Sequence, residues 1–335
     1  MERREILMQG IRLVADPISL KMTPSAFLAD YGGYAEEVAV VAKHESGYAF
    51  YPSQEVPVHN QFGTFFSKFT EVSEDILKVN AVINTFTDSY MGKDPKFASV
   101  RSGGTPNEDF MCPTQEKGWE YLAAAAKEVA EYPIEEIILV GNTFVQKDFC
   151  FCENCKSEFG QIGGIQSDFN YDRISLDPEM LSKWSEWRSE KLTTGLIRIV
   201  DAIHSVKGDL DVSIEVYLDP ETSFSKGTEE TYAQNIEGLA KETKNLTLNV
   251  FPWTPLLPTP GSEEFRAVVQ RLDFTKELVG RQGVKLSILH WRIDDETDLN
   301  SLKSMAKEIN AQKILAYADY PASYRFWREA HLGIT

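Results

Sequence analysis

The feature that most constrains the fold of this chain is an alternation of short apolar runs with helical patterns, repeated eight times. The apolar runs are rich in Val, Ile and Leu, as is typical of parallel strands buried on both faces. They predict strands over Ile11–Asp16, Val38–His44, Val79–Asp88, Glu136–Asn142, Val212–Asp219, Leu246–Trp253, Lys285–Trp291 and Lys313–Asp319. Eight strand–helix units favour a closed (β/α)8 barrel, the TIM barrel, over an open doubly wound sheet.

Length and composition agree with one barrel domain that takes up the whole of residues 1–335. With 42% hydrophobic residues the chain can bury a single large core. Helical patterns are clear where Trp119 and Leu122 share one face, and where Asp177-Pro178 supplies a cap and a first turn. No linker divides the sequence, and we predict its longest loop over Gly160–Asp177.

The charge of the chain argues against two kinds of partner. A formal net charge of −17 leaves no basic face for nucleic acid or for an anionic membrane. No apolar run approaches the ~20 residues that span a bilayer, and no signal peptide is visible in the sequence. We therefore expect a soluble, cytoplasmic protein without nucleic-acid or membrane partners.

The four cysteines are spaced like the ligands of one metal ion. Cys150, Cys152 and Cys155 form a C-x-C-x2-C segment that one tight loop can present, and Cys112 comes from an earlier loop. Four thiolates make the closed tetrahedral site typical of structural zinc. Buried free thiols or a disulfide are the alternatives, and a reducing cytosol argues against the disulfide. We predict a zinc ion that braces the loop at 110–113 against the loop at 148–160.

Polar and aromatic residues stand at the carboxyl ends of the predicted strands, where (β/α)8 barrels carry their chemistry. We interpret seven of them as substrate contacts: His44, Asn142, Asp219, Trp253, His290, Trp291 and Tyr317. Structural roles are the alternative for these residues. The Asp219-Pro220 pair is typical of a turn start, the histidines could be structural, and the tryptophans could be core residues rather than stacking platforms for a sugar ring.

Strand periodicity singles out one carboxylate. Side chains alternate along a strand, so the apolar face of Val212 and Ile214 turns Glu215 into the barrel. A carboxylate there is costly unless it is paired or functional. The same periodicity turns Asp88 inward, and Asp319 ends the eighth strand. We predict Glu215, Asp88 and Asp319 as the catalytic set.

The segment Cys150-Phe-Cys-Glu-Asn-Cys-Lys-Ser-Glu-Phe159 resembles the C-x-C-x2-C-x3-F segment of glycoside hydrolase family 42 β-galactosidases and related glycosidase-like barrels. In that family an earlier cysteine completes a zinc site, and its position maps onto Cys112. The segments Met111–Thr114 and Trp184–Arg188 are also similar. The resemblance implies a carbohydrate-active barrel with a structural zinc and a small-molecule or oligosaccharide ligand.

The chain departs from that family at both catalytic positions. The resemblance implies a general-acid Glu after Asn142 and a nucleophilic Glu at the end of the seventh strand, but Thr143 and His290-Trp291 stand there. Threonine cannot donate a proton at a useful pKa. Three hypotheses follow. The first is a carbohydrate-active enzyme, such as a glycoside hydrolase, whose acid and base have moved to Glu215 and its partners; a histidine acid, His290 or His44, would instead suit a lyase or isomerase. The second is a sugar-binding barrel without hydrolysis, and the third a structural protein whose zinc loop braces a homo-oligomer.

Overall fold

A computed structural model describes residues 11–32, 36–163, 169–218, 225–243, 246–252, 257–282, 284–290, 293 and 295–317. Eight parallel strands close into a barrel, in the order β1-β10-β9-β8-β7-β6-β3-β2. Their bounds are β1 Ile11–Ala15, β2 Glu37–Lys43, β3 Lys78–Asn84, β6 Glu136–Val140, β7 Asp211–Tyr217, β8 Thr247–Phe251, β9 Lys285–His290 and β10 Lys313–Tyr317. Each predicted run overlaps one of these strands, so the (β/α)8 prediction is confirmed.

Helices follow the strands and cover the barrel with their apolar faces. They are α1 Pro17–Leu20, α2 Pro24–Tyr31, α3 Phe65–Ser73, α4 Ser89–Gly92, α5 Glu116–Ala130, α6 Glu153–Gly163, α7 Tyr171–Ser175, α8 Pro178–Val206, α9 Ser225–Tyr232, α10 Ile236–Glu242, α11 Glu263–Gln282 and α12 Glu296–Glu308. Within the described ranges, no helix is both long and apolar enough to cross a membrane.

The start of α8 follows from its cap. The Asp177 carboxylate accepts hydrogen bonds from the amides of Glu179 and Met180, and Pro178 occupies the first helical turn, as predicted. The long loop predicted over Gly160–Asp177 is wrong in part, because α6 continues to Gly163 and α7 lies within that stretch.

An antiparallel hairpin, β4 (Ala98–Val100) and β5 (Pro106–Met111), lies outside the barrel sheet. The sequence analysis missed it because β5 is mostly exposed and polar, without an alternating apolar face. Its backbone joins two barrel loops. The Asp88 and Phe151 amides donate to the carbonyls of Asp109 and Val100, at 3.0 and 2.7 Å. The hairpin therefore bridges the loop after β3 and the loop after β6.

Charged side chains fill the floor of the barrel. Arg12 on β1 binds Glu136 on β6 at 2.5 Å and Glu37 on β2 at 2.6 Å, and Lys313 lies 2.7 Å from Glu37. Since β6 does not neighbour β1, Arg12 reaches across the interior. Glu37, Glu136 and Lys313 are the first residues of their strands, so this network closes the amino-terminal end, where side chains serve stability.

Candidate functional site

The four cysteine side chains converge on one point. Their sulfur atoms all lie within 4.8 Å of one another, and the side chains are buried and free of disulfides. The Sγ–Sγ distances are 3.5 Å for Cys112–Cys155, 3.7 Å for Cys112–Cys152 and 3.6 Å for Cys152–Cys155. A tetrahedron with metal–sulfur bonds of about 2.3 Å has edges of about 3.8 Å. The cluster therefore has the size that a tetrahedral thiolate site requires.

Neighbouring groups hold the sulfur atoms in place. Thr114 Oγ1 lies 3.2 Å from the Sγ atoms of both Cys112 and Cys155, and Asn154 Nδ2 donates to that hydroxyl oxygen at 3.0 Å. The Thr114 hydroxyl therefore links the Asn154 amide to the two sulfur atoms. The Val100 amide donates to Cys150 Sγ at 3.1 Å, which ties hairpin strand β4 to the cluster. This arrangement matches the hydrogen-bonded surroundings of metal–thiolate sites.

The cysteine pKa values respond to burial and to one another. Burial raises the pKa of the Cys112 and Cys155 thiols. Hydrogen bonds from the other three thiols lower the pKa of Cys152. Four ionised thiolates at these distances would repel one another strongly, and a bound divalent cation would offset that repulsion.

A fully buried arginine lies beside the cluster. Arg188 on α8 donates to the backbone carbonyls of Phe149 at 2.6 Å and of Gln146 at 3.0 Å, within the loop after β6. Its other terminal nitrogen donates to the Glu230 carbonyl at 2.7 Å, near the end of α9. Burial lowers the pKa of the guanidinium to about 10. The resemblance included Arg188 only as part of a similar segment, and no role was predicted for it.

Glu215 lies inside the barrel, as its periodicity predicted, and its side chain reaches the carboxyl end of β6. Its Oε2 atom accepts hydrogen bonds from the Gly141 amide at 2.8 Å and the Tyr217 hydroxyl at 2.6 Å. Gly141 directly follows β6 and has a φ of 72°, a conformation that favours glycine. Burial raises the pKa of Glu215, although both hydrogen bonds oppose that rise. No described cation lies within ion-pair distance of it.

Asp88 sits in a different environment. Its Oδ2 atom lies 2.7 Å from Lys43 Nζ, and both side chains are 0% exposed. Its Oδ1 atom accepts from the Met91 amide at 2.8 Å and so caps α4. Lys43 Nζ also donates to the Asn84 carbonyl at 2.8 Å. Asp88 is therefore occupied by a buried ion pair and a helix cap. Lys43 was missed, although a lysine that ends a buried strand was a usable signal.

His44 and Asp16 form a pair at the ends of β2 and β1. The Ser46 amide donates to His44 Nδ1 at 3.0 Å, so the ring proton lies on Nε2, which is 3.0 Å from Asp16 Oδ2. Asp16 Oδ1 accepts from the Ile18 amide and caps α1. At the carboxyl end of the barrel, His44 is partly exposed and its partner Asp16 is buried. The pair can hold a polar ligand group or relay a proton.

Asn142 and Thr143 are used within the fold. Asn142 is 0% exposed; its amide group donates to the Leu139 carbonyl at 2.7 Å and accepts from the Thr85 hydroxyl at 3.0 Å. The Thr143 hydroxyl donates to the Tyr232 carbonyl at 3.3 Å. The buried Gln234 was missed. Its Nε2 atom donates to the backbone carbonyls of Asn142 and Glu215, at 2.7 and 3.0 Å.

The remaining predicted contacts are described only in part. His290 is buried, and its ring centroid lies 5.8 Å from that of Phe251. Tyr317 ends β10, where its backbone pairs with Val14. Four predicted site residues lie outside the described residues: Asp219, Trp253, Trp291 and Asp319.

The fold of this chain is that of known glycosidases. The glycoside hydrolase domain of PgaB (BpsB) from Bordetella bronchiseptica matches with a TM-score of 0.66 at 13% identity, over 96% of this chain and 98% of that chain. The catalytic domain of β-amylase from Paenibacillus polymyxa matches with 0.64 at 13% identity, over 92% of each chain. A β-galactosidase from Marinomonas ef1 matches with 0.64 at 12% identity, over 97% of this chain and 59% of that chain.

The chain has the (β/α)8 fold that these solved structures share. No protein-family model matches it, and no curated protein matches its sequence. At identities this low, the structural likeness establishes the fold alone.

Proposed function

We propose that this protein is a carbohydrate-active barrel that binds a sugar at the carboxyl ends of its strands, with Glu215 as proton donor. The observation that carries the proposal is a buried carboxyl group at the barrel mouth without a cation partner among the described residues. Isolated buried carboxyl groups are costly, and they cluster at functional sites. The glycosidase fold of the structural neighbours supports a sugar as the ligand.

The hydrogen bonds of Glu215 suit an acid. Two donors, the Gly141 amide and the Tyr217 hydroxyl, converge on Oε2. A proton on the carboxyl group therefore belongs on Oε1, which accepts no hydrogen bond from the described residues. Burial raises the pKa of Glu215, so the proton is retained to higher pH. In this proposal Oε1–H protonates the glycosidic oxygen as the bond to the leaving group breaks.

Glycoside cleavage also requires a second carboxylate. Asp88 is left out of the proposed machinery because Lys43 and the α4 cap occupy it. We retain Asp319 for this role. His44, which is partly exposed and pairs with the buried Asp16, is proposed to bind sugar hydroxyl groups. Asp219, Trp253, His290, Trp291 and Tyr317 remain proposed substrate contacts, whereas Asn142 is assigned to the fold.

The test is hydrolysis of a panel of aryl glycosides and polysaccharides, measured as the release of reducing sugar. Wild-type protein should release sugar from at least one substrate. Glu215→Gln keeps the volume and should reduce kcat by at least about 100-fold, in line with the loss of a general acid. Tyr217→Phe removes one hydrogen bond to Glu215 Oε2. It should therefore shift the pKa of the general acid in the pH profile of kcat. A Glu215→Gln protein that hydrolyses its substrate at the wild-type rate would refute the assignment.

A second candidate, a sugar-binding barrel without hydrolysis, is favoured by a specific observation. Asp88 is held in an ion pair with Lys43, so one predicted catalytic carboxylate is occupied. The position at which family 42 enzymes carry their general acid holds Thr143, whose hydroxyl donates to a backbone carbonyl. Isothermal titration with oligosaccharides separates the candidates. Binding without any sugar release supports the second, and a panel that shows neither binding nor hydrolysis refutes both.

We also propose that the four-cysteine cluster holds a structural zinc ion. Its support is the closed set of four buried sulfur atoms at tetrahedral spacing. Zinc would be held by Cys112, Cys150, Cys152 and Cys155, and it would fix the hairpin and the loop after β6. Elemental analysis of protein purified without chelators should give about one zinc per chain.

A further inference from the structure

Arg188 carries a buried positive charge that forms no ion pair with a carboxylate of the described residues. Its side chain is 0% exposed, and none of the described aspartates or glutamates lies within ion-pair distance of it. Among the described residues, the acceptors of the guanidinium are all backbone carbonyls, in the loop after β6 and near the end of α9. By contrast Arg12, the other deeply buried arginine of the described residues, has two carboxylate partners.

Carbonyl oxygens satisfy hydrogen bonds but carry no net charge. A buried cation therefore still needs a counter-charge, because transfer of an ion from water into the interior costs several kcal/mol (~3–5 when one partner of a pair is removed). The rings of Phe144 and Trp184 lie 5.2 and 5.6 Å from the guanidinium carbon and separate it from solvent. Water can contribute little to its stabilisation.

The cysteine cluster can supply the missing negative charge. Arg188 donates at 2.6 Å to the carbonyl of Phe149, the residue directly before the cluster member Cys150. A divalent ion with four ionised thiolates carries a net charge of −2, whereas four neutral thiols carry none. We propose that Arg188 is the counter-charge of the metal–thiolate centre and strengthens the binding of a divalent ion there.

This inference rests on the proposed metal site, and two matched variants test it. Arg188→Gln keeps amide donors for the carbonyls but loses the charge, and Arg188→Lys keeps the charge but loses the planar fork. Arg198→Gln is the control, since Arg198 pairs with Glu116 at an exposed position. Affinity is measured by competition of Zn²⁺ and Co²⁺ with a chromophoric chelator, and the Co²⁺ absorption bands report tetrahedral thiolate ligands.

We expect Arg188→Gln to weaken metal binding by about 10- to 100-fold, as loss of an outer-shell partner does. The metal affinity of Arg188→Lys should stay within about fivefold of that of wild type, and the affinity of Arg198→Gln should equal that of wild type. By reciprocity, chelation should lower the Tm of wild type more than that of Arg188→Gln. If Arg188→Gln folds only with metal, the Zn²⁺ concentration for refolding should rise by the same factor.

Two results would overturn the inference, and they differ from failure of the zinc proposal. Equal metal affinity for wild type and Arg188→Gln would show that the charge has no effect on the centre. Equal losses in Arg188→Gln and Arg188→Lys would show that only the hydrogen-bonding fork matters. Wild-type protein without stoichiometric metal, or without Co²⁺ thiolate bands, would instead refute the metal site itself.

Discussion

The buried Lys43–Asp88 pair gives a prediction that separates structure from catalysis. Both side chains are 0% exposed and their charged atoms are 2.7 Å apart. Lys43→Met removes the cation and leaves the Asp88 carboxylate buried without a charged partner among the described residues. Breaking such a pair from one side costs about 3–5 kcal/mol. We expect that loss in the free energy of unfolding, measured from the urea midpoint at unchanged m-value.

Asp88→Asn should behave differently because Lys43 can lose its proton. The destabilisation of Asp88→Asn has an upper limit, because Lys43 can deprotonate instead of remaining charged without a partner. For a lysine of ordinary pKa, deprotonation at pH 7 costs about 4.6 kcal/mol. Burial already lowers the pKa of Lys43, although Asp88 opposes this. Without Asp88 the pKa falls further, so the unfolded state binds more protons than the folded state. The stability of Asp88→Asn should therefore rise toward wild type between pH 7 and 10, by at most about 1.4 kcal/mol per pH unit.

The double variant Lys43→Met/Asp88→Asn completes the cycle. It removes both charges and keeps an oxygen to cap α4, so its loss should be smaller than the sum of the single losses by about 2 kcal/mol or more. Additive losses, or an Asp88→Asn stability that does not change with pH, would refute the buried ion pair. An Asp88→Asn protein of wild-type stability that loses all turnover would return Asp88 to the catalytic set.

Three further predictions follow from the same structure. Burial raises the pKa of Glu215, so the stability of the wild type should fall as pH rises from about 4.3 through the folded pKa. Glu215→Gln lacks this titration and should gain stability relative to wild type over the same pH range, measured as urea midpoints at several pH values. Cys155→Ser should abolish stoichiometric zinc and lower the Tm, and chelation should not lower its Tm further. Hydrolysis of a nitrophenyl galactoside should be negligible in wild type and unchanged in Thr143→Ala, because the Thr143 hydroxyl donates to the Tyr232 carbonyl.

The barrel could be predicted because parallel strands buried on both faces leave a plain signal in the sequence. Every predicted apolar run overlaps a barrel strand, and the alternation along β7 correctly turned Glu215 inward. The hairpin left no such signal, because β5 is held through backbone hydrogen bonds to neighbouring loops rather than through an apolar face.

The partners of the site residues could not be predicted either, because they too leave no signal in the residue types. Arg188 binds backbone carbonyls, which every residue has, so no residue type marks the positions that hold it. The pairing of Lys43 with Asp88 depends on how the loop after β3 folds back toward β2. The cysteine cluster was visible because its ligands are a rare residue type at a regular spacing.

The loop after β6 connects the two parts of the proposed site. It begins at Gly141, whose amide donates to Glu215 Oε2, and runs on to Cys150, where it enters the cysteine cluster. Arg188 holds the middle of this loop through the carbonyls of Gln146 and Phe149. A centre that fixes the far end of the loop therefore also restricts the amide that orients the proposed acid. A structural metal near the barrel mouth would therefore help to position the proposed proton donor, which must be held within about 0.5 Å of its working position.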